Sequence, residues 1–476
     1  MSVKKNFVYN VLLTMSSYIV SLVVFPYVSR ILGVSILGRL SFVSTIVSYF
    51  SLFALLGVSA VGIRAIASCG NNREQRTKTF ASIFSFILLL TILSLLIFVC
   101  CIFFVPKFRD YQNLLFIGSL SLFFTSLLIE WLYQGIEKFK YISVRTIIVR
   151  CIYAISVFVF IKSKDDYLLY YVLTTGTVII NAIINIVYAR NFINFNFRSI
   201  SVFKYAKEIL SIGVYKILTS MYTTFNVVYL GFVATENQVG FYTTSTKLFY
   251  IQLGILSAFT SVMLPRMSSL LAEGKRDEYK SKIDYSFDLV FMFTIPIIVW
   301  TLFYAPQIIR IISGKGFEGA ITPMRIITPM LFITGIAQIF VVQTLMPLKK
   351  DKIILVGSIV GATVGILSNI LFVKQYGAVG TAITLLLAEI FGDLVGFVYA
   401  IYCKLIEFPW HRLYNYLIGG IPYVAICMIV NTLETDDICR LFLSIVCFSI
   451  YFGVFNYAIM KNAIIISSVK STIKRL

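Results

Sequence analysis

Apolar stretches long enough to cross a bilayer follow one another almost without a break from Phe7 to Met460, about 14 in all, separated by short polar gaps. A hydrocarbon core about 30 Å thick takes about 20 helical residues to cross. The pattern predicts six such helices in a first group: Phe7 to Ile31, Leu40 to Ile63, Phe80 to Val105, Tyr111 to Tyr133, Val144 to Ile161 and Tyr167 to Ala189. A second group repeats the count with Ile209 to Val233, Phe241 to Leu264, Phe287 to Ile309, Met324 to Met346, Ile353 to Val373 and Val379 to Cys403. Two more follow, Leu413 to Leu433 and Ile438 to Met460. The expected architecture is an all-α integral membrane protein. It has a six-helix half over residues 1–206, a second over 207–403, and an added helix pair with a basic tail over 404–476.

Composition agrees: 59% of the 476 residues are hydrophobic and only 13% charged, with a mean hydropathy of +0.90 that excludes a water-soluble chain. The formal charge of +20 sharpens the picture through its placement. Basic residues gather in alternate gaps: Lys4 and Lys5; Arg64, Arg73, Arg76 and Lys78; Lys138, Lys140 and Arg145; Arg190, Arg198, Lys204 and Lys207; and Arg266 through Lys282. With Lys349, Lys350, Lys352, Lys404, Arg412, Lys461, Lys470, Lys474 and Arg475, roughly 27 cations fall on one side against about nine on the other. That asymmetry predicts cytoplasmic N- and C-termini. Because the charge is spread over short loops and a tail instead of one stripe, it argues for membrane lipids as partners and against nucleic acid. The first apolar segment, broken by Thr14, Ser16 and Ser17, reads as a retained helix, not a cleaved signal. The eight cysteines fall mostly in or beside spans and imply no disulfide framework.

The single histidine, His411, cannot build a histidine metal site or a triad, and no glycine-rich phosphate loop is present. No metal site, cofactor or enzymatic activity is expected, and ATP is not the expected energy source. Loops of about 20 residues or fewer leave no room for a nucleotide-binding domain or for the extramembrane domain of a membrane polymerase or ligase. A transporter is the better class.

The turn Ile36-Leu37-Gly38-Arg39-Leu40 after the first span is matched by Gln238-Val239-Gly240-Phe241-Tyr242 after the seventh, which suggests a parallel repeat of two halves. Gly377-Ala378-Val379-Gly380-Thr381 after the eleventh again sets a glycine at a helix start. Trp131-Leu132-Tyr133-Gln134-Gly135-Ile136-Glu137-Lys138-Phe139 resembles the W-x-x-Q-G-x-E-x-F stretch of the polysaccharide-type (Wzx-like oligosaccharide) flippases, members of the multidrug/oligosaccharidyl-lipid/polysaccharide exporter superfamily. Pro265-Arg266-Met267-Ser268 and Tyr376-Gly377-Ala378-Val379-Gly380-Thr381-Ala382 through Ala388-Glu389 are similar to two further motifs of that family, in the same order. The resemblance implies a flippase in the bacterial inner membrane. It would carry undecaprenyl-diphosphate-linked oligosaccharide repeat units, of O-antigen or capsule type, to the outer leaflet by alternating access. Polysaccharide polymerase and chain-length machinery would be partners. Many relatives carry Asp midway along the seventh helix, where this chain has Asn226, so the resemblance does not carry an ion-coupling role over to that position. A cation-coupled multidrug exporter of the same superfamily and a lipid II flippase are the rival transporters.

Charged residues inside spans are costly, about 2.5 to 3.5 kcal/mol for Lys or Arg at a helix centre, and so are expected to face protein or water. Lys216, Lys247 and Arg150 lie within spans, Arg310 and Arg325 near outer ends, and Arg30 and Arg39 frame the end of the first helix. A diphosphate would be held by such cations through charge-assisted hydrogen bonds. Arg30, Lys216, Lys247 and Arg150 are therefore the candidate substrate-binding residues. Glu389 and Asp393, four apart on one helix face, are candidates for coupling to a proton or sodium gradient. Coupling to membrane potential is the alternative, since a potential negative inside drives an anion outward by about 2.3 kcal/mol per charge per 100 mV. Pro26 interrupts the backbone hydrogen bonding of the first helix and is a candidate hinge. Gly357, Gly361 and Gly365, with Gly392 and Gly396, read as close-packing faces.

Overall fold

The computed structural model describes residues 3–194 and 201–459, with side chains described from residue 12 onward and at residue 9, leaving out 255, 458 and 459. The side chains of Lys4 and Lys5, together with Arg198, Met460 and the tail cations Lys461, Lys470, Lys474 and Arg475, lie outside the described residues. Among those described, every regular element is helical.

Among the described residues, ten helices are long and apolar enough to cross a membrane, and eleven if the bent pair Glu236–Gly254 and Leu256–Ala272 forms one crossing. Two of the ten are long enough for two crossings. Leu12–Leu55, with 44 residues, and Asp351–Tyr402, with 52, would be about 66 and 78 Å long if straight, more than twice the hydrocarbon thickness. Each is broken at a glycine: Gly33 has φ 76° and Gly377 φ 53°. Such positive φ values are accessible to glycine because it lacks a Cβ. The two apolar segments that the sequence separates on either side are thus consecutive helices joined at one residue.

The chain forms two compact units, Met1–Thr243 with Gly365–Thr381, and Thr244–Val364 with Ala382–Leu476. In the first lie α1 (Val3–Leu55), α2 (Val58–Ala67), α3 (Arg73–Phe104), α4 (Gln112–Ser126), α5 (Glu130–Gly135), α6 (Phe139–Phe160), α7 (Tyr167–Ala189), α8 (Ala206–Thr223) and α9 (Phe225–Val233). The long α1 packs on α3, α4 and α6, and α4 on α7. The Trp131 motif is a packing device here. Its indole stacks on Phe80 at 5.3 Å and covers Gly62, where a Cβ would meet the ring at 2.6 Å. Gly135 lies nearly as closely on Ile66, so a glycine on each helix receives a side chain of the other and α5 packs tightly on α2. Beside them Arg145, only 6% exposed, bonds to Asn185, to Glu130 at 2.7 Å and to Thr146 at 2.8 Å. The charge pattern counts Arg145 among the loop cations; the structure shows it as the centre of a buried network. The two repeated turns also meet: Gly38 abuts the backbone of Glu236, Gly240 abuts that of Val34, and Glu236 accepts from Arg39 at 2.9 Å and Ser35 at 2.8 Å.

The second unit is built from most of α10 (Glu236–Ala272), then α11 (Arg276–Ser313), α12 (Ile321–Ile327), α13 (Met330–Ala337), a π-helical turn Gln338–Leu345, and parts of α14 (Asp351–Ser368) and α15 (Lys374–Tyr402). It ends with α16 (Trp410–Ile418), α17 (Ile421–Thr432) and α18 (Asp437–Val454). Phe287, Phe340 and Phe408 form an aromatic core, and Arg412 bridges Asp284 and Asp288 at 3.1 and 3.0 Å. Gly357 lies directly on the carbonyl of Gly392, with 2.7 Å to an added Cβ, so these glycines close the α14–α15 contact as the sequence spacing predicts.

Candidate functional site

Within the first unit, Lys216 of α8 borders a cavity of about 480 Å³. Eight of its fourteen lining residues carry a hydroxyl, and Val47, Leu52, Leu55, Leu56 and Val178 make up the apolar part of the wall. Ser44, Ser48 and Ser51, three or four residues apart, share one face of α1. Ser121 and Thr125 of α4 and Thr174 of α7 face the same space. Most of these side chains spend their proton locally: Ser48 donates to the Ser44 carbonyl at 2.8 Å, Ser51 to Val47 at 2.9 Å, Thr125 to Ser121 at 2.6 Å and Thr174 to Tyr170 at 2.9 Å. Hydroxyls bonded back to the helix keep lone pairs free, so the walls accept hydrogen bonds from a guest. Lys216 supplies the complementary chemistry. It is half-buried and, among the described residues, has no hydrogen-bond or ion-pair partner. Three donors and a full charge face a wall of acceptors. The Tyr49 hydroxyl, accepting from Ser220 at 3.2 Å, ties α8 to α1 beside this space.

The other candidates are placed differently. Arg30 is exposed on α1 and is not among the residues around this cavity. Lys247 belongs to the second unit, where its side chain is exposed. Arg150 donates from Nη1 to the Leu13 carbonyl at 2.8 Å and to Ser16 Oγ at 2.6 Å, which fastens α6 to α1. Arg310 pairs with Asp437 at 2.6 Å, and Arg325 donates to the Leu302 carbonyl at 3.0 Å. Pro26 sits where α1 remains helical, while the backbone departs from helical geometry at Gly33. Asn226 is fully buried. It donates to the Tyr222 carbonyl at 2.7 Å and accepts from Asn369 at 2.7 Å, an amide pair that closes α9 onto the π-helical turn Asn369–Val373.

In the second unit Glu389 and Asp393 lie one turn apart on α15, both partly buried. Asp393 Oδ2 is buried without a hydrogen-bond donor among the described residues, as is Thr384 Oγ1 on the same helix. Carboxylates in such a setting are completed by a proton or a bound cation. The hydroxyl wall was missed from sequence, although the Ser44, Ser48, Ser51 spacing is a legible helical stripe. What could not be read is that α4 and α7 bring more hydroxyls to the same side.

The family model for polysaccharide biosynthesis proteins matches residues 3–271. Over 392 residues the chain is 27% identical to a protein of Shigella dysenteriae provisionally named an O-antigen transporter, a match covering 81% of this chain and 97% of that one. Among solved structures the fold is similar to the lipid II flippase MurJ in an inward closed conformation, with a TM-score of 0.76 at 16% identity over 95% of this chain and 99% of that one. It is also similar to an inward-facing multidrug resistance MATE family transporter of the MOP superfamily, with a TM-score of 0.61 at 14% identity over 84% and 94% of the two chains. Together with the long apolar helices, these matches identify a multi-pass membrane protein with a transporter fold.

Proposed function

This chain belongs to the polysaccharide biosynthesis protein family, and from that premise we propose that it flips undecaprenyl-diphosphate-linked oligosaccharide repeat units, of O-antigen or capsule type, from the cytoplasmic to the outer leaflet. The observation that carries this reading is the unpartnered Lys216 against a hydroxyl wall inside a membrane-spanning unit. Hydroxyl acceptors suit the hydroxyl donors of sugars, and a lysine suits diphosphate oxygens. Lys247 and Arg30 are proposed as further points of contact along the path, while Arg150, already tied to Leu13 and Ser16, would act mainly by fixing the frame.

The transport cycle is alternating access between the repeated six-helix halves, without covalent chemistry on the cargo. Counting the two glycine-broken helices as two crossings each, the bent pair as one, and α8 with α9 as one yields 14 crossings, with both termini in the cytoplasm of a bacterium with an inner membrane. The close contact of Gly38 and Gly240 with opposing backbone, and the Arg39–Glu236 ion pair, suit an end that closes tightly in one state of the cycle. Released repeat units would pass to polymerase and chain-length machinery. In a strain lacking this protein, lipid-linked repeat units are expected to accumulate in the inner leaflet while surface glycan is lost. Normal surface glycan with no accumulation would reject the proposal.

A second reading, cation-coupled export of small molecules, draws on Glu389 and the unpartnered Asp393 oxygen. Within the flippase proposal the same pair would couple flipping to a proton or sodium gradient, acting with or instead of the membrane potential. Glu389→Gln with Asp393→Asn is then expected to lower the initial flipping rate in proteoliposomes at least tenfold under an imposed ion gradient. An equal response to the gradient in variant and wild type would exclude the pair from coupling.

A further inference from the structure

A second, larger cavity in the first unit, about 1190 Å³, takes no part in the transport reading. It opens between α6 and α7 at the end where the α2–α3 and α5–α6 connections run, and its lining divides into two chemically distinct parts. At that end Arg76, Lys138, Lys140 and Arg145 face it, with Glu137 as the one carboxylate in the lining. Farther along, Val144, Ile148 and Ile152 of α6 and Ile180 and Ile184 of α7 continue it as an apolar trough. All five of these side chains are exposed, and their four-residue spacing puts each set on one helix face. In helices apolar enough to span a membrane, such a face meets hydrocarbon.

The basic end contains donors that the protein leaves unused. Arg145 and Arg76 each retain a buried Nε without an acceptor among the described residues, although their terminal nitrogens are engaged by Asn185, Glu130 and Thr146 and by the Gly70 carbonyl. Those two Nε atoms are closed off from the cavity space, so the two guanidiniums act on a guest there through their charge, and the free donors at this end are those of the lysines. Lys138 and Lys140 are exposed, and neither has a hydrogen-bond or ion-pair partner among the described residues. Lys138 rests its ammonium 5.6 Å from the centre of the Phe192 ring, which holds it at the rim.

We propose that this cavity is a binding site for one anionic phospholipid. Its phosphate would be held by Lys138, Lys140, Arg76 and Arg145, and one acyl chain would lie in the trough between α6 and α7. A free phosphate would use the basic end alone and leave the trough idle. A zwitterionic lipid would fill the trough but bring an ammonium group to a cluster of four cations and one carboxylate. A phosphate head of net negative charge joined to a hydrocarbon tail satisfies both parts, and basic recesses between membrane helices select such lipids.

The test uses the purified full-length protein in detergent, with lipid occupancy read by native mass spectrometry during titration with phosphatidylglycerol, phosphatidylcholine or glycerol 3-phosphate. Wild type is expected to hold one phosphatidylglycerol through a wash that removes phosphatidylcholine. Lys138→Ala with Lys140→Ala, both exposed, is expected to weaken that lipid on the order of tenfold. The control Lys350→Ala with Lys352→Ala, which alters an equally exposed basic loop in the second unit, is expected to leave it unchanged. Ile148→Trp, which fills the trough, is expected to displace the lipid while glycerol 3-phosphate still binds, so the site is also tested if the lysine variant does not purify. Equal retention of phosphatidylcholine, equal occupancy in wild type and both site variants, or an equal loss in the control would overturn the proposal. Binding of glycerol 3-phosphate as tight as that of phosphatidylglycerol would reassign the site to a soluble phosphate and overturn it as well.

Discussion

Lys216→Ala is expected to cut surface glycan at least tenfold while the protein remains at normal abundance in the membrane. The separation of the two readouts follows from the residue's surroundings. Lys216 has no partner among the described residues, so its removal orphans no buried group and deletes only a half-buried stem beside Leu52 and Leu55. What is lost is one charge-assisted bond to the cargo, about 1.5 to 3 kcal/mol, which corresponds to roughly ten- to a hundredfold in binding. Lys216→Arg, which restores the charge with a wider head, should recover part of the activity. Quantifying surface glycan and accumulated lipid-linked repeat units against protein level checks both. Wild-type glycan from the alanine variant at normal abundance would remove Lys216 from the transport path.

Arg145→Ala should behave in the opposite way, losing the protein before it loses a specific activity. The guanidinium is shared among Glu130, Asn185 and Thr146, and its removal leaves a carboxylate and an amide in a poorly solvated place. Breaking a buried pair costs about 3 to 5 kcal/mol, and the lower end applies because Glu130 remains about one-third exposed. Thermal unfolding in detergent should shift clearly downward and membrane abundance should fall. Arg145→Lys should recover little, because an ammonium cannot reproduce a planar fork directed at three acceptors. An unchanged melting temperature for the alanine variant would show that the network contributes no net stability.

These two cations illustrate how much was legible beforehand. In sequence Arg145 is one of a cluster of loop cations and reads as a topology signal, yet it is the most buried of the cations in that loop and is structural. Arg150 reads as a candidate for the cargo because it lies inside a span, and the structure shows its Nη1 bonded to Leu13 and Ser16. Lys216 reads the same way as Arg150 and is left unpaired. Nothing local distinguishes them: the difference lies in what the facing stretch of α1 presents, a carbonyl to one and serines already bonded to their own helix near the other. The Trp131 motif was a mark of kinship in the sequence. Its physical role, a ring laid on Gly62 with a glycine on Ile66 beside it, required knowing that α5 returns against α2.

The sequence by itself determined that the chain is a bundle of apolar membrane helices, where most of them begin and end, and to which family its motifs belong. Those properties are written in runs of neighbouring residues, because crossing a bilayer demands an uninterrupted apolar stretch and a turn demands its glycine locally. Only the tertiary structure decided which polar side chains are spent on holding helices together and which are left facing open space. That depends on groups more than a hundred residues apart being brought together, as Lys216 and Ser48 are on one cavity and Arg150 and Leu13 are in a hydrogen bond. Desolvation then acts on each group according to the partner it finds, and no one-dimensional pattern carries that information.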